Sequence, residues 1–224
     1  MKTIAIIPAR GGSKRLPQKN IKLLGEIPLL AHSILYAKAN SFIIDEVYVS
    51  TDDENVKKIA LQYGAKVIDR PERLSGDVEP TVSALKHVLE NIDEEVENVI
   101  SLQPTNPLRP EKLLSECYLK YKETHSDSLF TVSQNHRKLG KIGDAKFNPI
   151  NYKIGQRSQD LEPLFFENGL LYITKTKLIL DTIIISENAF PFLVNHIFAN
   201  VDIDTQEDLE YAKYLYNKLI VNNS

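Results

Sequence analysis

With 224 residues, 42% of them hydrophobic and 25% charged, the chain has the length of one domain, or of one domain with an appended arm, and the composition of an ordinary soluble globule. A formal net charge of −3 argues against a general nucleic-acid binder, and no apolar run approaches the ~18 residues that a membrane span needs. The single cysteine, Cys117, excludes an intrachain disulfide and a thiolate zinc cluster; with no signal-peptide core at the start, these features point to the cytoplasm.

In chain order, residues 3–7 are a short apolar run that reads as a first strand. The run breaks at Pro8 into Ala9-Arg10-Gly11-Gly12-Ser13-Lys14-Arg15-Leu16-Pro17-Gln18-Lys19-Asn20. Lys2, Arg10, Lys14, Arg15, Lys19 and Lys22 all precede the first acid, Glu26. A strand that empties into a glycine-containing basic loop suits a polyphosphate. Gly11 and Gly12 let backbone N–H groups turn toward an anion, and Arg10, Ser13, Lys14 and Lys19 can donate to phosphate oxygens. Because the whole chain is slightly acidic, this field is local. The Walker and dinucleotide glycine patterns are both absent. The plain alternative is a solvated basic loop. Leu16 and Pro17 read as structural, Pro17 stiffening the loop exit.

Pro28 opens a helix that carries Leu29, Leu30, Ile34, Leu35 and Ala37 at helical spacing. Residues 46–50 read as a second strand, and Asp52 or Asp53 opens the helix that follows. Asp52 reads as a helix cap first and a site residue second. Residues 65–68 form a short strand leading to Arg70-Pro71, and Val82, Leu85, Val88 and Leu89 mark a helix after Pro80-Thr81. Residues 98–102 are short and mostly apolar, a central strand ahead of Gln103-Pro104-Thr105-Asn106-Pro107. Pro110 begins a helix with Leu113, Leu114, Cys117 and Tyr118, and residues 128–133 form another strand. The stretch 134–162 is polar and irregular, either a loose loop or an excursion of short strands; at that length it is functional. Regular structure resumes at 169–173. A last helix, 206–219, presents Leu209, Ala212, Leu215, Tyr216 and Leu219 on one face, and the tail Asn222-Asn223-Ser224 is expected to fray. This alternation predicts an α/β fold with a mixed, mainly parallel sheet and helices on both faces. Right-handed crossovers then bring the loops after the strand C-termini to one edge, where ligands bind.

The segment Ile7–Asn20 resembles the nucleotide-binding signature of the CMP-nonulosonate cytidylyltransferases, the family of the CMP-sialic acid, CMP-legionaminic acid and CMP-pseudaminic acid synthetases. The similarity continues in order through Ser50-Thr51-Asp52, Arg70-Pro71, Leu102-Gln103-Pro104-Thr105-Asn106-Pro107, Asn168-Gly169 and Asp202-Ile203-Asp204-Thr205, and so covers nearly the whole chain. It implies a Rossmann-like nucleotidyltransferase fold in a single domain with a dimerisation arm at about 134–162. It implies transfer of CMP from CTP to the anomeric hydroxyl of a nine-carbon α-keto sugar acid, with release of pyrophosphate. A Mg²⁺ cofactor and a homodimer with shared active sites are implied as well. The alternatives are CMP activation of another keto sugar acid, pseudaminic or eight-carbon, and a non-catalytic nucleotide-binding module.

The resemblance gives the nucleotide to Ala9, Arg10, Gly11, Gly12, Ser13, Lys14, Lys19 and Asn20, with Arg10 and Lys19 catalytic. It gives base and ribose contacts to Arg70 and the Thr81 region, although Thr81 reads equally as a helix cap. Arg15 departs from a glycine found in other members, and its role stays open. Asp202 and Asp204 are two apart, so in an extended segment they share a face, as a Mg²⁺ pair does. Asp204-Thr205-Gln206-Glu207 also resembles a helix cap. Gln103 is placed near the sugar acceptor, against the reading of a simple β-to-α connector. The acceptor's carboxylate wants an arginine fork, for which Arg157 is the candidate and Arg137, Lys138 and Lys141 are alternatives. Phe166 and Asn168 belong to the segment that meets the sugar. Many sialic acid enzymes carry arginine where this chain has Phe166, which favours a more deoxygenated acceptor such as legionaminic acid. The five histidines show no metal spacing, and no residue stands out as a general base.

Overall fold

In the computed structural model, which describes residues 1–219, the first apolar run becomes an interior strand of a seven-stranded sheet. The elements are β1 (Lys2–Pro8), the small hairpin β2 (Leu23–Leu24) and β3 (Ile27–Pro28), α1 (Leu29–Ala39), β4 (Glu46–Thr51), α2 (Glu54–Gln62) and β5 (Lys66–Asp69). There follow α3 (Thr81–Leu89), β6 (Val96–Ser101), α4 (Leu113–Thr124), β7 (Ser128–Asn135), and the hairpin β8 (Gly140–Gly143) and β9 (Lys146–Pro149). The chain closes with β10 (Leu164–Lys175), α5 (Thr176–Leu180), β11 (Ala189–Leu193) and α6 (Gln206–Leu219). The expected fraying of Asn222-Asn223-Ser224 and the side chain of Leu219 lie outside the described residues.

The sheet order is β11-β7-β10-β6-β1-β4-β5. β6, β1, β4 and β5 run parallel, β11 is parallel to β7, and β10 is antiparallel to both its neighbours. The mixed, mainly parallel sheet expected from the alternation is therefore present. β1 shows why its sequence is apolar throughout. Ala5 and Ile7 pack on one face with residues of α1, α2 and α4. Ile4 and Ile6 pack on the other with Val82, Leu85 and Val88 of α3 and Ile179 of α5. A strand covered on both faces cannot alternate with polar residues. Each fully buried isoleucine there contributes about 1.5–3 kcal/mol of transfer free energy. A third apolar cluster joins Leu16 of the basic loop, Leu24 and Leu29 to Ile203 and to Leu209, Ala212 and Leu215 of α6.

Several elements depart from the sequence expectations or refine them. The β2–β3 pair, α5 and β11 had no strong signal; Pro191 inside β11 marks it as an edge strand, where a missing N–H is tolerated. α4 starts at Leu113 and not at Pro110, because residues 110–112 form a turn closed by Leu113 N–H on the Pro110 carbonyl at 3.1 Å. The 134–162 stretch takes the second of its two readings: β7 runs on to Asn135, and the β8–β9 hairpin forms a separate two-stranded sheet. The hairpin and its flanks leave Ile142, Phe147, Ile150 and Ile154 exposed.

Candidate active site

The parallel strands deliver Pro8, Thr51, Asp69 and Ser101 to one edge of the sheet, and the loops that follow them meet there. The basic loop after β1 is tied down from three sides. Leu16 is inserted into the α6 cluster. Buried Asn20 donates from Nδ2 to the Arg10 carbonyl at 2.8 Å. The Gly11 N–H donates to Asp52 Oδ1 at 2.9 Å. Gly11 is glycine because a Cβ there would lie 2.8 Å from the Asp53 Cβ. This N–H therefore serves the loop's own anchoring and does not face a ligand as the sequence suggested. Asp53, not Asp52, caps α2, its carboxylate accepting from Asn55 and Val56 N–H at 2.8 and 2.9 Å. Asp52 is the tether.

Two carboxylates bridge the four cations of this loop in pairs. Asp77 accepts from Arg10 Nη1 at 2.9 Å and meets Lys14 Nζ at 2.5 Å. Lys14 and Arg10 hold its carboxyl below the usual range. Arg10 Nη1 also donates to the Ser75 carbonyl at 3.2 Å. Asp204 accepts from Arg15 Nη2 at 2.6 Å and from Lys19 Nζ at 2.8 Å. Lys14 and Arg15 are mostly solvent-exposed, so their pairs are worth about 0–1 kcal/mol at most. The Lys19 side chain is 13% exposed, and its pair is the stronger of the four.

Arg70 is buried at the end of β5. Its Nε donates to Ser50 Oγ at 3.0 Å and its Nη2 to the Ser50 carbonyl at 2.6 Å. Burial brings its pKa down to about 10, with Asp52 opposing and Arg10 adding to the shift, so it stays charged at neutral pH. Thr81 is the first residue of α3, and the cap position is held by Pro80 without a side-chain bond. The capping reading of Thr81 is thereby removed.

The Gln103–Pro107 connector is more than a link between elements. The Thr105 carbonyl accepts from Ile203 N–H at 2.8 Å. Asn106 Nδ2 donates to the carbonyls of Asn168, at 3.1 Å, and Val201, at 2.8 Å. A Cβ on Gly169, whose φ is +74°, would stand 2.8 Å from Asn106 Oδ1. Arg109 locks the connector from below. It donates to the carbonyls of Leu170 and Gln103 at 2.7 and 2.9 Å and to Ser33 Oγ at 3.0 Å, with the Tyr36 ring beside it. Burial brings its pKa down to about 10. Three neutral oxygens, and no carboxylate, satisfy this guanidinium. Sequence reasoning missed both Asn106 and Arg109; the one available signal was a cation among prolines and leucines, Pro107-Leu108-Arg109-Pro110.

Asp202 and Asp204 flank Ile203, which is fully buried. Burial and the neighbouring Asp204 charge push the Asp202 pKa up, against a hydrogen bond from Thr105 that lowers it. The cap of α6 belongs to other residues. Asp208 Oδ2 accepts from the N–H groups of Asp204 and Thr205 at 3.0 and 2.8 Å and from the Thr205 hydroxyl at 2.9 Å, and Asp208 N–H returns a bond to Thr205 Oγ1 at 3.2 Å. This reciprocal arrangement is a capping box. It leaves the Asp204 carboxylate free of capping duty. Two neighbouring carboxylates, with the cations of the basic loop next to them, fit a divalent cation held with phosphate and water. Among the described residues there is no group of three or more His, Cys, Asp or Glu placed for a metal.

The cleft on this edge has a volume of about 170 Å³ and is walled by Arg10, Ser13, Lys19, Asn20, Arg70, Thr81 and Gln103. Thr81 and Gln103 also wall an adjoining pocket of about 380 Å³. A groove of about 910 Å³ includes Arg137, Phe166, Asn168 and Asp202. Asn168 itself is consumed by the fold. Its Oδ1 accepts from Thr131 Oγ1 and Leu170 N–H, and its Nδ2 donates to Ser133 Oγ. With Gly169 it makes the bulge that re-registers β10 against β7.

Residues 4–224 match the family model described as cytidylyltransferase. The chain belongs to this family. It is 35% identical to the pseudaminic acid cytidylyltransferase of Campylobacter jejuni subsp. jejuni serotype O:23/36 (strain 81-176), over 96% of this chain and 97% of that one. It is 36% identical to the CMP-N,N'-diacetyllegionaminic acid synthase of Legionella pneumophila subsp. pneumophila (strain Philadelphia 1), over 93% of each. A solved CMP:2-keto-3-deoxy-manno-octonic acid synthetase complexed with CTP superposes with a TM-score of 0.75 over 97% of this chain and 99% of that chain, at 19% identity. That likeness speaks for the nucleotidyltransferase fold.

In this cytidylyltransferase, one residue expected to contact the sugar stands apart. Arg157 walls neither the cleft nor the groove. Its side chain is 78% exposed and forks onto Asp160 at 2.8 and 3.2 Å. Arg137 is the arginine that shares the groove with Phe166. Lys138 is taken up by the Gln156 carbonyl and the Tyr152 ring. No helix among the described residues is long and apolar enough to cross a membrane.

Proposed function

We propose that this cytidylyltransferase transfers CMP from CTP to the anomeric hydroxyl of a nine-carbon α-keto sugar acid of the sialic, legionaminic or pseudaminic kind, releasing pyrophosphate. The observation that carries this reading is the ion pair by which Lys19, on the wall of the cleft, joins the basic loop to Asp204 of the Asp202–Asp204 segment. The relatives matched along their full length support the acceptor class. Arg10, Ser13, Lys14 and Lys19 hold the triphosphate in line with the attacking oxygen and offset charge on the leaving pyrophosphate. Arg70 and Thr81 take the base and ribose, and Gln103 faces the acceptor. Gly11, Asn20 and Asn168 act by shaping the backbone around these groups. Asp202 and Asp204 would hold Mg²⁺, which supplies positive charge to the phosphates when bound.

The test is pyrophosphate release with each nucleoside triphosphate and a panel of sugar acids. CTP is expected to be used far better than ATP, GTP or UTP, and legionaminic-type acids better than N-acetylneuraminic acid, given Phe166 in the groove. Equal turnover with ATP would remove the cytidylyl reading. A clear preference for N-acetylneuraminic acid would remove the reading of Phe166.

The same proposal extends to assembly. The enzyme is a single domain that works as a cytoplasmic homodimer, its arm at residues 134–162 crossing to the partner's cleft. The exposed apolar residues of the hairpin and the absence of Arg157 from the walls of its own cleft support this. Mixing a Lys19→Ala protomer with an Arg157→Ala protomer should then restore activity. In the mixed dimer one site draws both intact residues, and the other carries both lesions. With Arg157 acting in its own protomer, each site keeps one lesion and no activity returns.

A further inference from the structure

The two carboxylates stand on a segment that belongs to no strand or helix. Residues 201–204 link the short turn Ile197–Asn200 to α6. Val201 and Ile203 are buried in the α6 cluster, and Asp202 and Asp204 alternate with them outside it. Both peptide groups that flank Asp202 are held by the connector after β6. The Ile203 N–H donates to the Thr105 carbonyl at 2.8 Å, and the Val201 carbonyl accepts from Asn106 Nδ2 at 2.8 Å. The same Nδ2 donates to the Asn168 carbonyl at 3.1 Å, in the bulge of β10. Asn106 Oδ1 accepts from the Thr105 hydroxyl at 3.3 Å. Asn106 is 1% exposed, and both polar atoms of its side chain are engaged.

We infer that Asn106 is a positioning residue for Asp202: its amide ties the Asp202 segment to the β10 bulge and so fixes the direction in which the carboxylate points. This role rests on the proposed Mg²⁺ site at Asp202 and Asp204. With the peptide group on each side of Asp202 held, its Cα–Cβ direction is held too. The amide of Asn106 has two N–H donors in one plane, and it spends them on two carbonyls that no ladder brings together. Aspartate has the same shape and would turn an acceptor toward both carbonyl oxygens. Serine is shorter and has one donor. On the opposite side Lys19 holds Asp204, so the carboxylate segment is gripped by the basic loop and by the sheet at once. Groups that orient a metal ligand without touching the metal commonly govern its affinity.

The experiment reads binding and not turnover. Mn²⁺ serves as the probe, its affinity for the CTP-saturated enzyme followed by water-proton relaxation, and CTP affinity is measured separately by calorimetry in the presence of EDTA. Asn106→Asp and Asn106→Ser are each expected to weaken Mn²⁺ on the order of tenfold or more. Metal-free CTP binding should change less than about twofold, because Arg10, Lys19, Arg70 and Thr81 make no bond to Asn106. A merely structural role would lower the melting temperature and leave the Mn²⁺ affinity of the folded protein where it was. A third measurement needs no variant and decides the matter where a variant does not fold. In the wild-type protein without ligands, the Ile203 amide should resist hydrogen exchange as the amides of β6 do. Wild-type Mn²⁺ affinity in a folded variant, equal weakening of Mn²⁺ and of metal-free CTP, or an Ile203 amide that exchanges as fast as those of the exposed 140–149 hairpin would overturn the inference. A wild-type enzyme that binds no Mn²⁺ with CTP present would fail the proposed metal site itself, and Asn106's role with it, before any variant is compared.

Discussion

Asp204→Asn is expected to cut CTP-dependent pyrophosphate release by a factor on the order of 10² or more, the scale of a lost preorganised electrostatic group. The protein should fold as before. The cap of α6 is made by Thr205 and Asp208, so the substitution does not touch it. An asparagine oxygen can still accept from Lys19, and exposed Arg15 can turn to water at little cost. What disappears is a full charge at the point where the basic loop and the Asp202 segment meet. Asp202→Asn is expected to act similarly. Its carboxylate already binds a proton more readily than an ordinary aspartate, because of its partial burial and the Asp204 charge. Circular dichroism melts establish that the variants are folded, and turnover is then followed across a Mg²⁺ titration. Activity that persists in the doubly substituted enzyme and in the presence of chelator would remove the pair from the reaction.

The second large effect is expected at the basic loop. Arg10→Ala and Lys19→Ala should each lower kcat/KM, and Lys19→Ala should lower kcat as well. The difference follows from their surroundings. Arg10 is held by the Ser75–Asp77 segment at the mouth of the cleft, where its contribution is to affinity. Lys19 is largely withdrawn from water and joins both halves of the site through Asp204. An ammonium in that position acts in a lower dielectric, so its effect on developing charge is larger. Steady-state kinetics over a CTP series reads both parameters. Near-normal values in two folded variants would leave the loop a solvated surface.

The parts of this fold that could be read from sequence are those with an internal period or a capping residue. β1, β4, β6 and α6 were visible because strands buried on both faces are continuously apolar and an amphipathic helix repeats its buried positions. β11 and α5 were not, since a five-residue edge strand with a proline and a five-residue helix carry too few positions for a period to show. The convergence of the basic loop, Arg70, Thr81 and Gln103 followed from topology once the strands were placed. Roles that depend on a neighbour distant in sequence were illegible. Nothing near Asp53 announces that it, and not Asp52, caps α2. Nothing near Asp204 announces Lys19. Asp77 sits in an ordinary polar turn and acquires its part only when the fold lays that turn over Arg10 and Lys14. Asn168 looked like a contact to the sugar, yet its hydrogen bonds lie along β7 and within the bulge.

Lys19 and Asp204 are 185 positions apart, and Arg15 and Asp204 are 189 apart. During synthesis the basic loop leaves the ribosome long before its acid does. Leu16, Leu24 and Leu29 likewise wait for Leu209, Ala212 and Leu215 before they can be covered. A nascent chain holding everything up to α4 can already pair β1, β4 and β6, yet its loop cations face water with no carboxylate from the Asp202 segment. The site is therefore the last feature of the molecule to form, and its completion waits on α6. Long-range closure of this kind is slow relative to local helix formation. Recovery of activity on refolding should accordingly lag behind recovery of the sheet.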